Sequence, residues 1–159
     1  MLDDSIVYER FQNSRIIILR GHGVAGKLYY DEACYESNTL TSGEIASPNF
    51  SIPYAEIIIF GSCNSGSGGS MSLVSRASAK GVPIVIGFTD VLNRQVFAVF
   101  QYLFFEKYNC FLDGNTSYDS IEDVVSQSYA SACALVNGQG CLVGDDNTVF
   151  SSIVIVETN

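Results

Sequence analysis

The stretch Ile16-Ile17-Ile18-Leu19-Arg20-Gly21-His22-Gly23 is a β-branched apolar run that ends in a histidine set between two glycines. It is too short for a helix and is bounded by turn formers, so it predicts a buried strand. A second run of the same kind, Ile57-Ile58-Ile59-Phe60-Gly61-Ser62-Cys63-Asn64-Ser65-Gly66, places a cysteine at the corresponding point past its end. Runs of this type fill parallel sheets, and α/β proteins keep their sites at the carboxyl edge of such sheets. His22 and Cys63 are therefore the first candidates for a base and a thiol nucleophile.

Working outward, Lys27 to Tyr30 reads as a short strand. Leu40 to Ile45 reads as a helix start, with Thr41 as its cap and Glu44 three residues on. Gly66 to Gly69 reads as a flexible connection, Met71 to Lys80 as a helix stopped by Gly81, and Val82 to Phe88 as a third buried strand. From Val91 to Tyr108, Val96, Phe97, Val99, Phe100, Leu103 and Phe104 recur at helical spacing, and Asp119 to Val136 repeats the pattern. A last pair of strands is expected around Cys141-Leu142-Val143 and Ser152 to Val156. Strands alternating with helices predict an α/β domain over residues 1–159, with a mostly parallel sheet covered by helices on both faces.

The chain has 159 residues, of which 47% are apolar, which is ample for one core. Seventeen acidic against eight basic side chains leave a net charge of −9, which disfavours nucleic acid and anionic lipid and suits a basic polypeptide or a cation. No apolar run has the length of a membrane span, and the start Met1-Leu2-Asp3-Asp4 lacks a signal-peptide pattern, so a cytoplasmic protein is expected. Five cysteines without metal-finger spacing read as mostly reduced core thiols, and a single histidine argues against a zinc site. No cofactor is expected.

A thiol attacks a carbonyl after deprotonation, and an adjacent imidazole both lowers its pKa and later protonates the leaving amine. The flanking glycines let backbone approach a substrate, with the amides of Gly23 and Cys63 as natural oxyanion donors. The plainer alternative is a loop histidine and a small buried thiol. A competing motif, Gly21-His22-Gly23-Val24-Ala25-Gly26-Lys27, fits seven positions of a phosphate-binding loop. The eighth needs a hydroxyl for magnesium and is Leu28, the following residues read as strand, and no strand ends in a magnesium-binding aspartate.

These segments resemble the CHAT domains, caspase-like members of the cysteine peptidase clan that includes caspases, metacaspases and separase. His22-Gly23 resembles the family's histidine-glycine motif, and Leu40 to Ile45 the segment before the cysteine strand. Tyr54 to Gly66 is similar to the alanine, hydrophobic strand, cysteine, small residue and glycine of that strand. Gly81 with Val85-Ile86-Gly87, the aromatic residues Phe97, Phe100, Phe105 and Tyr108, and Gly144-Asp145 resemble the later segments.

The resemblance implies a three-layer caspase-like fold and a hydrolase, a cysteine endopeptidase. Cys63 would be its nucleophile, His22 its general base and acid, and Gly23 and Cys63 its oxyanion amides. Gly61 stands where metacaspases carry an aspartate for a basic substrate side chain, and Thr89-Asp90-Val91 resembles a separase segment that makes Asp90 a substrate-binding candidate. The alternative for Asp90 is the N-cap of the helix from Val91. The implied partners are a polypeptide substrate and a regulatory sensor domain or other protein. A catalytically silent module that binds a protein is the second reading, and a nucleotide-binding domain the third.

Overall fold

Isoleucine-rich runs have few comfortable alternatives to extended backbone, and three of them form the heart of the main sheet. The computed structural model describes residues 9, 11–30, 39–114, 117–138 and 153–157. β1 (Ile16–Arg20) pairs in parallel with β5 (Ile57–Gly61), which pairs in parallel with β6 (Ile84–Phe88). β7 (Ile153–Glu157) adds an antiparallel strand beside β6, so the sheet order is β1-β5-β6-β7. The expected strand around Cys141 lies outside the described residues. The chain is thus α/β with a parallel three-stranded centre.

Every residue of β5 and of β6 is buried, whereas in β1 only Ile17 is buried and both ends are exposed, as suits an edge strand. Ile17, Ile58, Phe60 and Val85 join Leu28, Leu40, Ile45, Leu73, Val74 and Ala77 in one hydrophobic cluster. The crossover from β1 to β5 carries a small antiparallel sheet of β2 (His22–Val24), β3 (Lys27–Tyr29) and β4 (Thr39–Thr41), followed by α1 (Ser42–Ala46). Thr41 caps α1 as expected: its hydroxyl accepts from the Glu44 amide at 3.1 Å, and the Glu44 carboxylate accepts from the Thr41 amide at 2.7 Å.

The helix expected over Met71 to Lys80 is shorter. A 3₁₀ turn at Gly69–Met71 comes first, and α2 (Leu73–Ser78) starts from Ser72, whose hydroxyl accepts from the Ser75 amide. Gly81 follows with φ of 86°, a left-handed stop that glycine adopts without strain. α2 packs on β6 closely enough that a side chain at Gly87 would run into Val74.

The chain divides into two compact units, Met1–Val91 with Phe150–Asn159, and Leu92–Val149. The second holds α3 (Arg94–Leu112) and α4 (Ile121–Gly138), packed through an aromatic contact of Phe100 and Tyr129 with ring centroids 6.0 Å apart. α3 starts three residues later than expected because Asn93 caps it, its side-chain oxygen accepting from the amides of Gln95 and Val96. Among the described residues no helix is long and apolar enough to cross a membrane.

At the start of β5, Arg15 and Glu56 form a bidentate ion pair with side chains 74% and 48% exposed. Solvent screening leaves such a pair worth about 0–1 kcal/mol. Glu56→Gln is therefore expected to shift the denaturation midpoint barely at all, because the strand start is also held by the Glu56 and Ile57 amides donating to the Arg15 carbonyl.

Candidate functional site

The register of β1 against β5 sets the site. Arg20 lies opposite Gly61, the Gly21 amide reaches the Gly61 carbonyl at 3.4 Å, and the two chains leave the sheet side by side. His22 follows by two residues on one chain and Cys63 by two on the other. The sheet thus brings the two segments to one edge. Gly23 lies against the Ser62-Cys63 backbone: a Cβ added there would sit 2.7 Å from the Ser62 hydroxyl oxygen, 2.8 Å from its Cβ, and closer still to the Cys63 carbonyl oxygen. Glycine is thus required by contact as well as by any role of its amide. His22 is exposed and Cys63 half-buried, so both are open to a ligand.

The hairpin that carries His22 is held at its tip. Gly26 turns with φ of 77°, its carbonyl accepts from the Ser42 amide at 2.8 Å, and its Cα faces the Met71 carbonyl. Lys27 opens β3, so the Gly21 to Lys27 segment leads into a strand and not into a helix whose N-terminus faces phosphate.

Beyond Cys63 the chain makes a tight elbow. Asn64 has φ of 56°, the single non-glycine residue in the left-handed region among those described, a conformation asparagine tolerates better than most. Its amide donates to the Asp90 carbonyl at 3.1 Å, the Gly66 amide to Phe88 at 2.8 Å, and the Ser67 hydroxyl to Thr89 at 2.7 Å. The glycine-rich connection expected to be flexible is therefore fastened at its start to the end of β6. Sequence patterning missed this because the partners lie more than twenty residues away.

Two serines lie close to Cys63 in sequence, and they differ. Ser65 is fully buried and its hydroxyl is used throughout: it donates toward the carbonyls of Phe60 at 2.8 Å and Ser62 at 2.9 Å, and accepts from the Phe88 amide at 3.0 Å. Ser65→Ala removes the group that ties the elbow to both strands. It is expected to cost about 1–3 kcal/mol, read as a lower denaturation midpoint with unchanged slope. Ser62 is 1% exposed, yet among the described residues its hydroxyl has no hydrogen-bond partner. An orphan of this kind costs about 1–3 kcal/mol where alanine would cost nothing.

Asp90 lies two residues past the end of β6, joined to the elbow through its own carbonyl. Its exposed carboxylate accepts from the Val91 amide at 2.7 Å, and the helix cap considered for it is supplied by Asn93 instead. Asparagine three residues on reaches two amides of the first turn, which Asp90 does not. A hollow of about 320 Å³ lined by Glu44, Ser47, Asn49 and Phe50 contains neither member of the pair, and the Glu44 carboxylate there is committed to Thr41. Among the described residues no three His, Cys, Asp or Glu side chains come together as a metal site would need.

No protein-family model matches the chain, and no curated protein matches it.

Proposed function

We infer that the protein is a cysteine endopeptidase of caspase-like, three-layer architecture that works in a reducing compartment such as the cytoplasm. The observation that carries the reading is the close passage of His22-Gly23 over Ser62-Cys63 at the carboxyl edge of a parallel sheet. Burial of β5 and β6 on both faces supports the layered arrangement, and the free thiols of Cys63, Cys110 and Cys133 suit a reducing milieu.

In this reading the imidazole of His22 takes the thiol proton of Cys63, and the sulfur attacks the scissile carbonyl carbon. The carbonyl oxygen, now an oxyanion, is held by the amides of Gly23 and Cys63. As the carbon–nitrogen bond breaks, His22 returns the proton to the departing amine, leaving a thioester on Cys63. Water, deprotonated by His22, attacks the thioester; the carboxylate product leaves and the thiol is restored. Asp90, tied to the same elbow, is the acid we assign to a basic substrate side chain.

Alkylation by iodoacetamide, located by peptide mapping, tests the pair without knowledge of the substrate. Burial pushes the Cys133 thiol up, against a smaller lowering by its hydrogen bond to Tyr129, so it stays protonated and slow at neutral pH. Wild type is expected to react first at Cys63, and His22→Ala about tenfold more slowly there. Equal rates at Cys63 in the two proteins would sink the assignment and leave a silent binding module as the better reading.

A further inference from the structure

Among the described residues, Ser62 is the one buried polar group at this edge that neither the fold nor the dyad chemistry uses. Its hydroxyl faces Gly23, in the seam between the base-bearing and nucleophile-bearing segments, and has no hydrogen-bond partner among those residues. Scarcity of partners in the elbow does not explain it, because Ser65, three residues on and equally buried, finds three. The backbone of Ser62 is also fixed on both sides: its amide donates to the Phe60 carbonyl at 2.9 Å and its carbonyl accepts from the Ser65 hydroxyl. Alanine would keep this backbone and fill nearly the same space, so a buried hydroxyl without a partner here calls for a use in another state of the site.

We propose that Ser62 is a positioning residue for the Gly23 oxyanion donor, its hydroxyl unpaired in the resting site and donating to the His22–Gly23 peptide as the oxyanion forms on the substrate carbonyl. The inference rests on the peptidase reading. A trans peptide holds its carbonyl and its N–H on opposite sides. Ser62 is buried whereas His22 and Val24 are exposed, so its hydroxyl approaches the His22–Gly23 peptide from the buried side. Pairing of β2 with β3 already sets the plane of that peptide, and a hydrogen bond to its carbonyl steadies the Gly23 N–H for the developing oxyanion. It also polarises that amide, since hydrogen bonds in a chain strengthen one another. The approach of Gly23 to Ser62 leaves no room for another side chain, so this peptide is the group within reach after a small shift. The gain appears only as the oxyanion forms, which places it in kcat and not in KM.

Ser62→Ala in the full chain tests this, using a peptide substrate selected with the wild-type protein from a random library. The expected result is a kcat lower by about tenfold, with KM and the shape of the pH profile unchanged and Tm equal or higher. Affinity for a peptide aldehyde, which forms a tetrahedral adduct with Cys63, should fall by the same factor as kcat. An active wild type whose Ser62→Ala variant keeps its kcat overturns this inference alone. So does a clear fall in Tm, which would mean that the hydroxyl is already paired at rest. A wild type that cleaves nothing in the library overturns the peptidase reading and this inference with it.

Discussion

Cys63→Ala is expected to lower peptide hydrolysis by at least about a thousandfold, and His22→Ala by a similar factor, while the double variant loses no more than either alone. In the proposed mechanism the imidazole contributes by moving the thiol proton. Once the sulfur is absent there is nothing for the base to activate, and once the base is absent the thiol attacks slowly and the amine departs unprotonated. Single and double variants then converge on whatever the oxyanion amides and substrate binding supply by themselves. Initial rates on one selected peptide, with Tm recorded for every variant, decide the matter. Independent losses that multiply in the double variant would separate His22 from Cys63 and place another group as the base. Tm should move little, since His22 is exposed and Cys63 half-buried.

The parts of the fold that were readable in the sequence are those set by local pattern. The isoleucine runs became β1 and β5, and the Thr41 and Glu44 pair became a capping box, because both signals act within one element. β2 and β4 went unread: each is three residues long, one holds a glycine, and pairing with β3 rather than strand propensity makes them extended. The helix cap shows the same limit at one position, where Asp90 and Asn93 are chemically similar and only the path of the backbone decides that Asn93 reaches two amides. In the candidate site, His22 and Cys63 were legible as strand ends. The division of labour between Ser62 and Ser65 was not, because it depends on Phe88 and Gly23, which come from other strands.

Gly23 is where fold and chemistry impose the same demand, so Gly23→Ala is expected to damage both. A methyl group there meets the Ser62 side chain at 2.7 and 2.8 Å and, nearer still, the backbone carbonyl of Cys63. A flexible side chain could swing aside, but this carbonyl belongs to an elbow fastened by Asn64, Ser65 and Gly66 to the end of β6. The hairpin must therefore lift, and its tip is itself held by the Ser42 amide on the Gly26 carbonyl. Overpacking of this kind costs about 1–3 kcal/mol, a Tm fall of about 3–10 °C for a chain of this size. The displaced segment is the one that carries His22 and the Gly23 amide, the proposed base and oxyanion donor, and a shift of about 1 Å in such groups costs about a hundredfold in rate. Gly43→Ala is the matched control. Its methyl group would touch only the Thr41 hydroxyl at 3.8 Å, and the position lies within α1. There alanine should stabilise by about 0.5–1 kcal/mol and leave hydrolysis unchanged. If Gly23→Ala instead matched Gly43→Ala in both Tm and rate, the two strand ends would not be in contact, and the geometry that unites His22 with Cys63 would fall.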